Sequence, residues 1–112
     1  MKRVLRFRAV NRDIFNAIRS GKKKVETRAA SPRYRDIKVG DRLTLTCGKS
    51  RLIKTAKRVR IFRTVKALVK AYRPSIINPS CRTVKELEAM YLSFPAYHEK
   101  LKKYGIIALE LL

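Results

Sequence analysis

The closing segment, Gly105-Ile-Ile-Ala-Leu-Glu-Leu-Leu112, constrains the fold of this chain more than any other stretch. Charged residues make up 33% of the sequence, yet this run is almost wholly apolar. Such a run belongs in a central strand covered on both faces. A central strand needs neighbours, and four more segments can supply them. "RVLRFRAV" alternates Val4, Arg6 and Arg8 with Leu5, Phe7 and Ala9, a period of two that predicts a first strand with one wet, cationic face. "KKVETR" reads as a second strand, and "RLTLTC" as a third, with Leu43 and Leu45 opposing Thr44 and Thr46. "GKS" then turns the chain into "RLIKTAKRVRIF", a long basic strand expected to bend or bulge.

Between the strands lie helical patterns. "NRDIFNAIRSG" places Ile14, Phe15, Ala17 and Ile18 on one side, with Asn11 as N-cap and Gly21 as terminator. "TVKALVKAY" starts at Thr64, turns Val65, Leu68 and Val69 inward, and stops before Pro74. "PSIINPSC" reads as irregular. "TVKELEAMYLSF" carries a capping box, Thr83 with Glu86, and an apolar face of Val84, Leu87, Met90 and Tyr91. "PAYHEKLKKY" reads as a short connector or helical turn, and Val39-Gly40-Asp41 as a tight turn. This order predicts one α+β domain over residues 1–112: a small, mainly antiparallel β-barrel of about five to six strands with two to four flanking helices. A first and last strand that pair would close the barrel and remove its edges.

Composition narrows the function. The chain has 112 residues, with 29 Lys and Arg against 8 Asp and Glu, a net charge of +21. Residues 1–73 hold 24 basic and 4 acidic side chains, net +20, whereas residues 74–112 hold 5 and 4, net +1. A field of this sign attracts polyanions, and nucleic acid is the expected partner. Cys47 and Cys81 lie far apart and, with the single His98, have no metal-ligand spacing, so no metal and no cofactor is expected. Reduced thiols suit a cytoplasmic protein. No apolar run reaches the ~20 residues of a membrane span, and the basic N-terminus is unlike a signal peptide, so no membrane partner is expected.

Three motifs together carry a family resemblance. "GKKKVETR" (21–28), "IKVGDRL" (37–43) and the closing "YGIIALEL" (104–111) follow one another in an order that resembles the ASCH domain family. Gly21, Lys23, Glu26 and Arg28 match its G-x-K-x-x-E-x-R pattern, and Gly40-Asp41 its G-D turn. The resemblance spans essentially the whole chain. It implies a PUA-like β-barrel and an RNA-directed function. Some relatives are enzymes: one branch resembles an amidohydrolase of acetylated cytidine that uses Lys, Thr and Glu, and another a metal-dependent ribonuclease. The amidohydrolase lysine falls on Lys23, but its threonine falls on Glu26, and the stretch where its glutamate belongs, Asn78 to Arg82, holds no acid. The candidate catalytic residues are therefore Lys23 and Glu26 alone, with catalysis the secondary reading. A metal site would need Asp13, Asp36 or Asp41 to converge on Glu26.

The binding reading draws on more positions. On a pleated strand Lys24, Glu26 and Arg28 share one face and Thr27 the other. Lys23 and Arg28 can meet a phosphate while Glu26 accepts hydrogen bonds from a base amino group. Arg6 and Arg8 on the first strand, and Arg33 and Arg35 on the loop after the second, are further contacts. Lys54, Lys57, Arg58 and Arg60, with Arg63, read as a phosphate track along one strand. Tyr34, Tyr91, Tyr97 and Tyr104 can stack on a base, Tyr91 being the one placed for core packing. The expected partner is RNA, single-stranded or as tRNA or rRNA, with ribonucleoprotein components as further partners.

Overall fold

The computed structural model describes residues 2–112. Five strands, β1 (Lys2–Phe7), β2 (Val25–Ala29), β3 (Arg42–Cys47), β4 (Ser50–Phe62) and β5 (Ile106–Leu111), form one curled sheet in the order β1-β3-β4-β5-β2. Helices α1 (Arg12–Arg19), α2 (Val65–Ala71), α3 (Pro74–Ile77), α4 (Val84–Ser93) and α5 (Tyr97–Tyr104) complete an α+β domain. Pairing is antiparallel except between β1 and β3, which run parallel.

The closing strand is central, as its composition requires. Ile106, Ile107, Ala108 and Leu109 are fully buried, and β5 is bonded to β4 on one side and β2 on the other. That placement overturns the expected closure by first and last strands. β1 pairs with β3 instead, and the sheet remains a half-barrel whose described edges are β1 and β2. A strand with one cationic, solvated face tolerates an edge; a strand apolar on both faces does not.

β4 makes the curl. Its first half pairs with β3, from Cys47↔Ser50 to Arg42↔Thr55, and its second half with β5, from Ala56↔Leu111 to Phe62↔Ile106. The register shifts between Ala56 and Arg58, so Lys57 is the extra residue of a bulge that bends the strand. The two faces of the sheet then bury separate cores. Leu5, Phe15, Ile18, Leu43, Leu45 and Leu109 fill the inside of the curl, and Val25, Leu68, Ile77, Leu87, Tyr91 and Ile106 pack beneath the helices. Each such side chain contributes about 1.5–3 kcal/mol by leaving water.

The local signals mostly hold. Gly21 ends the α1 turn at φ +84, Thr64 accepts from the Ala67 amide, and Thr83 and Glu86 form the capping box. Asp41 accepts from the Lys38 amide at 2.9 Å, which closes the Gly40 turn. Four readings change. Asn11 sits at the N-cap without a side-chain bond, because the chain enters α1 through a 3-10 turn, Ala9–Asn11, that leaves Ala9 outside. Val84, in the first turn of α4, is 40% exposed and so not part of its inner face. Pro74 starts helical turn α3, since a proline at the first helical position lacks only a hydrogen that has no partner there. The segment 95–104, read as a short connector or helical turn, holds the two-turn helix α5, bringing the helices to five.

Candidate functional site

The half-barrel leaves a gap between its two edge strands, and that gap is a cleft of about 190 Å³. Arg6, Phe7 and Arg8 line one side with Asn11 and Ile14; Lys23, Glu26, Thr27 and Arg28 line the other. Asn78, Met90, Phe94, Pro95 and Tyr97 complete the wall from the helical side. Five of the sequence-derived candidates, Arg6, Arg8, Lys23, Glu26 and Arg28, therefore converge on one place.

Glu26 is the centre of the polar group and is 5% exposed. Its Oε2 accepts from Arg28 Nε at 3.0 Å, and its Oε1 accepts from the Thr27 amide at 3.2 Å and lies 3.4 Å from Lys23 Nζ. Lys23 Nζ also donates to the carbonyl oxygens of Val25 and Ile77, so each of its three protons has an acceptor. Burial lowers the Lys23 pKa from its ordinary value, and Glu26 works against that shift. Burial also opposes the charge on Arg28, but the Glu26 carboxylate outweighs it and holds the guanidinium protonated. Arg28 Cζ lies 4.7 Å from the Phe7 ring centre and 5.7 Å from that of Tyr34. Two cations and one carboxylate leave this group with a net charge of +1, and Arg6 and Arg8 add to it.

The lysine of the site differs from the expected one. Lys24 is exposed, and only its carbonyl is engaged, by the Leu111 amide. Strand β2 begins at Val25, so the alternation that groups Lys24 with Glu26 and Arg28 does not extend back to it. Lys23, in the unpleated approach to the strand, folds under it and reaches α3. Thr27 lies on the face opposite Glu26, as expected, and its hydroxyl is bonded to the Tyr91 hydroxyl. Burial pushes the Tyr91 phenol well above its ordinary pKa.

The remaining candidates lie elsewhere. Arg33 is exposed over the Tyr34 ring, and Arg35 donates to the Ala30 and Tyr104 carbonyls, a tie that holds the loop. Lys54, Lys57, Arg58 and Arg60 do not form one line along β4, because the bulge at Lys57 separates them. Lys54 shares the inner face with Leu43, its cross-strand partner, whereas Arg58 and Arg60 lie on the helix side. Arg58 is 4.0 Å from Glu110, and Arg60 covers the Phe62 and Tyr72 rings. His98 is exposed, and Cys47 and Cys81 are buried free thiols. Among the described residues no three His, Cys, Asp or Glu side chains gather as a metal site; Asp36 pairs with Arg3, and Asp41 serves its turn.

Sequence reasoning named Tyr97 as a stacking candidate but missed Asn78, Met90, Phe94 and Pro95, the rest of the apolar and amide wall of the cleft. Asn78 follows α3; its Oδ1 accepts from the Ser80 amide and hydroxyl, and its Nδ2 donates to the Met90 sulfur. Tyr97 stacks on Tyr91 with Phe94 edge-on to both. The "FPAY" stretch held the one available signal: a proline between aromatics, in a segment too polar to be core.

Fold and cleft together define a class: a small α+β half-barrel with a charged cleft between its edge strands. In fold the chain is similar to two solved structures. Hypothetical protein PH0355 superposes with a TM-score of 0.82 at 26% identity, over 99% of this chain and 97% of that one. Protein PF0455 from Pyrococcus furiosus gives 0.76 at 26% identity, over 99% and 96%. No family model and no curated protein matches the chain. No described helix is long and apolar enough to cross a membrane.

Proposed function

We propose that this protein is a cytoplasmic RNA-binding domain of the ASCH type, with a PUA-like barrel, and that the cleft between β1 and β2 takes one base or nucleotide. The single observation that carries this reading is the buried Lys23–Glu26–Arg28 group in a cleft with arginines on its rim. A volume of about 190 Å³ is below the ~300–1,000 Å³ of sites for drug-sized ligands, which favours a single ring over a larger molecule. Tyr97 and Phe94 offer faces for stacking, Glu26 an acceptor for an amino group, and Arg6 and Arg8 donors for the flanking phosphates.

Filter binding of single-stranded RNA, tRNA and rRNA across a salt series tests it. The expected result is affinity that falls steeply with salt, together with a base preference that Tyr97→Leu weakens. Absence of RNA affinity at low salt would refute the reading. Turnover of acetylated cytidine, or Mn²⁺-dependent cleavage of labelled RNA, would replace it with a hydrolase.

A further inference from the structure

The outer face of the β1-β3-β4 sheet carries a second ordered arrangement, which meets the cleft only at Arg6. Cross-strand register places Val4, Thr44 and Ile53 in one row and Arg6, Thr46 and Arg51 in the next, with Arg42 beside Thr55 in the row before. No acidic residue occupies any of these positions. Arg6, Arg42 and Arg51 are exposed, Val4 is 39% and Ile53 61% exposed, and the core side chains of the same strands all point the other way. Among the described residues, none of these three arginine side chains has a hydrogen bond or ion pair. A shallow groove runs between Arg42, Thr44, Arg51 and Ile53.

We infer that this face is a base-independent docking surface for the sugar-phosphate backbone of RNA, a role that rests on the RNA-binding reading of the cleft. Three features support that occupant. Arg6 and Arg51 flank Thr46 at one end of the patch and Arg42 stands on the middle strand at the other, with Thr44 and Thr46 between them on that strand, which suits phosphate and ribose oxygens. The face presents no aromatic side chain, so it offers no stacking platform and reads no base. A second copy of the chain is disfavoured because each carries +21, so two such faces repel. Arg6 belongs both to this face and to the cleft rim. A strand lying across the sheet therefore passes the mouth of the cleft, where one nucleotide can turn inward.

The test compares an oligouridylate with inorganic polyphosphate, which has charge and no bases, and with polyglutamate. The variant is Arg42→Thr with Arg51→Thr, both replacements being favourable in a strand, so circular dichroism should show the native fold. The double variant should weaken both oligouridylate and polyphosphate, and the slope of log affinity against log salt should become shallower by about 1.4, as for two lost phosphate contacts. Tyr97→Leu should leave polyphosphate binding at the wild-type level. Unchanged binding of both probes by the folded double variant overturns the docking face and leaves the cleft reading intact. Polyphosphate binding without any RNA binding by the wild type refutes the cleft reading and the RNA assignment together. Tighter binding of polyglutamate than of RNA, lost in the same variant, makes this a protein-docking face and overturns the proposal.

Discussion

Arg28 Nε donates to Glu26 Oε2 at 3.0 Å, two residues apart on one face of an edge strand. The bond turns an otherwise isolated buried carboxylate into the hub of a group that also holds Lys23. Removing the hub should therefore cost more than removing a surface charge. Glu26→Ala leaves the buried Lys23 ammonium without its counter-ion and is expected to destabilise the fold by about 3–5 kcal/mol. Urea denaturation measures it. The double variant Lys23→Met with Glu26→Gln should recover part of the loss, since it leaves no unpaired buried lysine; strictly additive effects would show that the two are not coupled.

Tyr91 links stability to alkaline pH. Its phenol is protonated in the fold well above the ordinary value of 10.0, chiefly because of burial. Below that value folded and unfolded chains both hold the proton, and the contribution is fully present. Above it the unfolded chain releases the proton first, so stability is lost as pH rises. Between pH 9 and 11, Tyr91→Phe should show a shallower decline of unfolding free energy than wild type. Equal declines would mean that Tyr91 ionises freely in the fold.

Gly105 joins α5 to β5 at φ +80, and a Cβ there would lie 2.4 Å from the Phe62 carbonyl oxygen. Both the dihedral and the contact oppose any side chain, and the neighbouring atom is backbone at the end of β4. Gly105→Ala should cost at least the ~1–3 kcal/mol of a strained backbone position, read as a lower midpoint in thermal or urea unfolding. A midpoint within error of wild type would show that β4 and β5 can separate locally.

Ala96 is the opposite case. It adopts φ 59 without being glycine, between Pro95 and Tyr97 on the cleft wall. The left-handed conformation costs an L-residue about 1–2 kcal/mol, part of which Ala96→Gly should return by relieving strain, offset by the freer unfolded chain. The expected change is a gain of up to ~1 kcal/mol in stability with a looser Tyr97 wall. Loss of base preference in this variant, at unchanged or higher stability, would tie the strain to binding.

Much of the architecture was legible because its signals are local. The Thr64 and Thr83 caps, the Gly21 stop and the Asp41 turn each need only neighbours within four residues. The β4 bend was foreseeable from a basic strand of 13 residues, too long to remain straight. Lys23 was less legible in kind. It was named as a phosphate contact, but its partners are Glu26, the Val25 carbonyl and the Ile77 carbonyl, 54 positions away. Periodicity can say which strand residues share a face; it cannot say where the pleat begins, and that boundary decides between Lys23 and Lys24.

By itself the sequence determined that β5 must be central, that the first strand is wet on one side, that charge gathers in residues 1–73, and that Glu26 is the anomalous acid in a basic segment. Each of these follows from hydrophobicity, period and counting. Only the tertiary structure decided that the barrel stays open, because a doubly apolar β5 takes two partners and leaves β1 and β2 as edges. That opening puts Arg6 and Arg8 across from Glu26 and Arg28, side chains about 20 residues apart whose meeting depends on strand order. The cleft is a property of the fold's unpaired edges, and no local pattern encodes it.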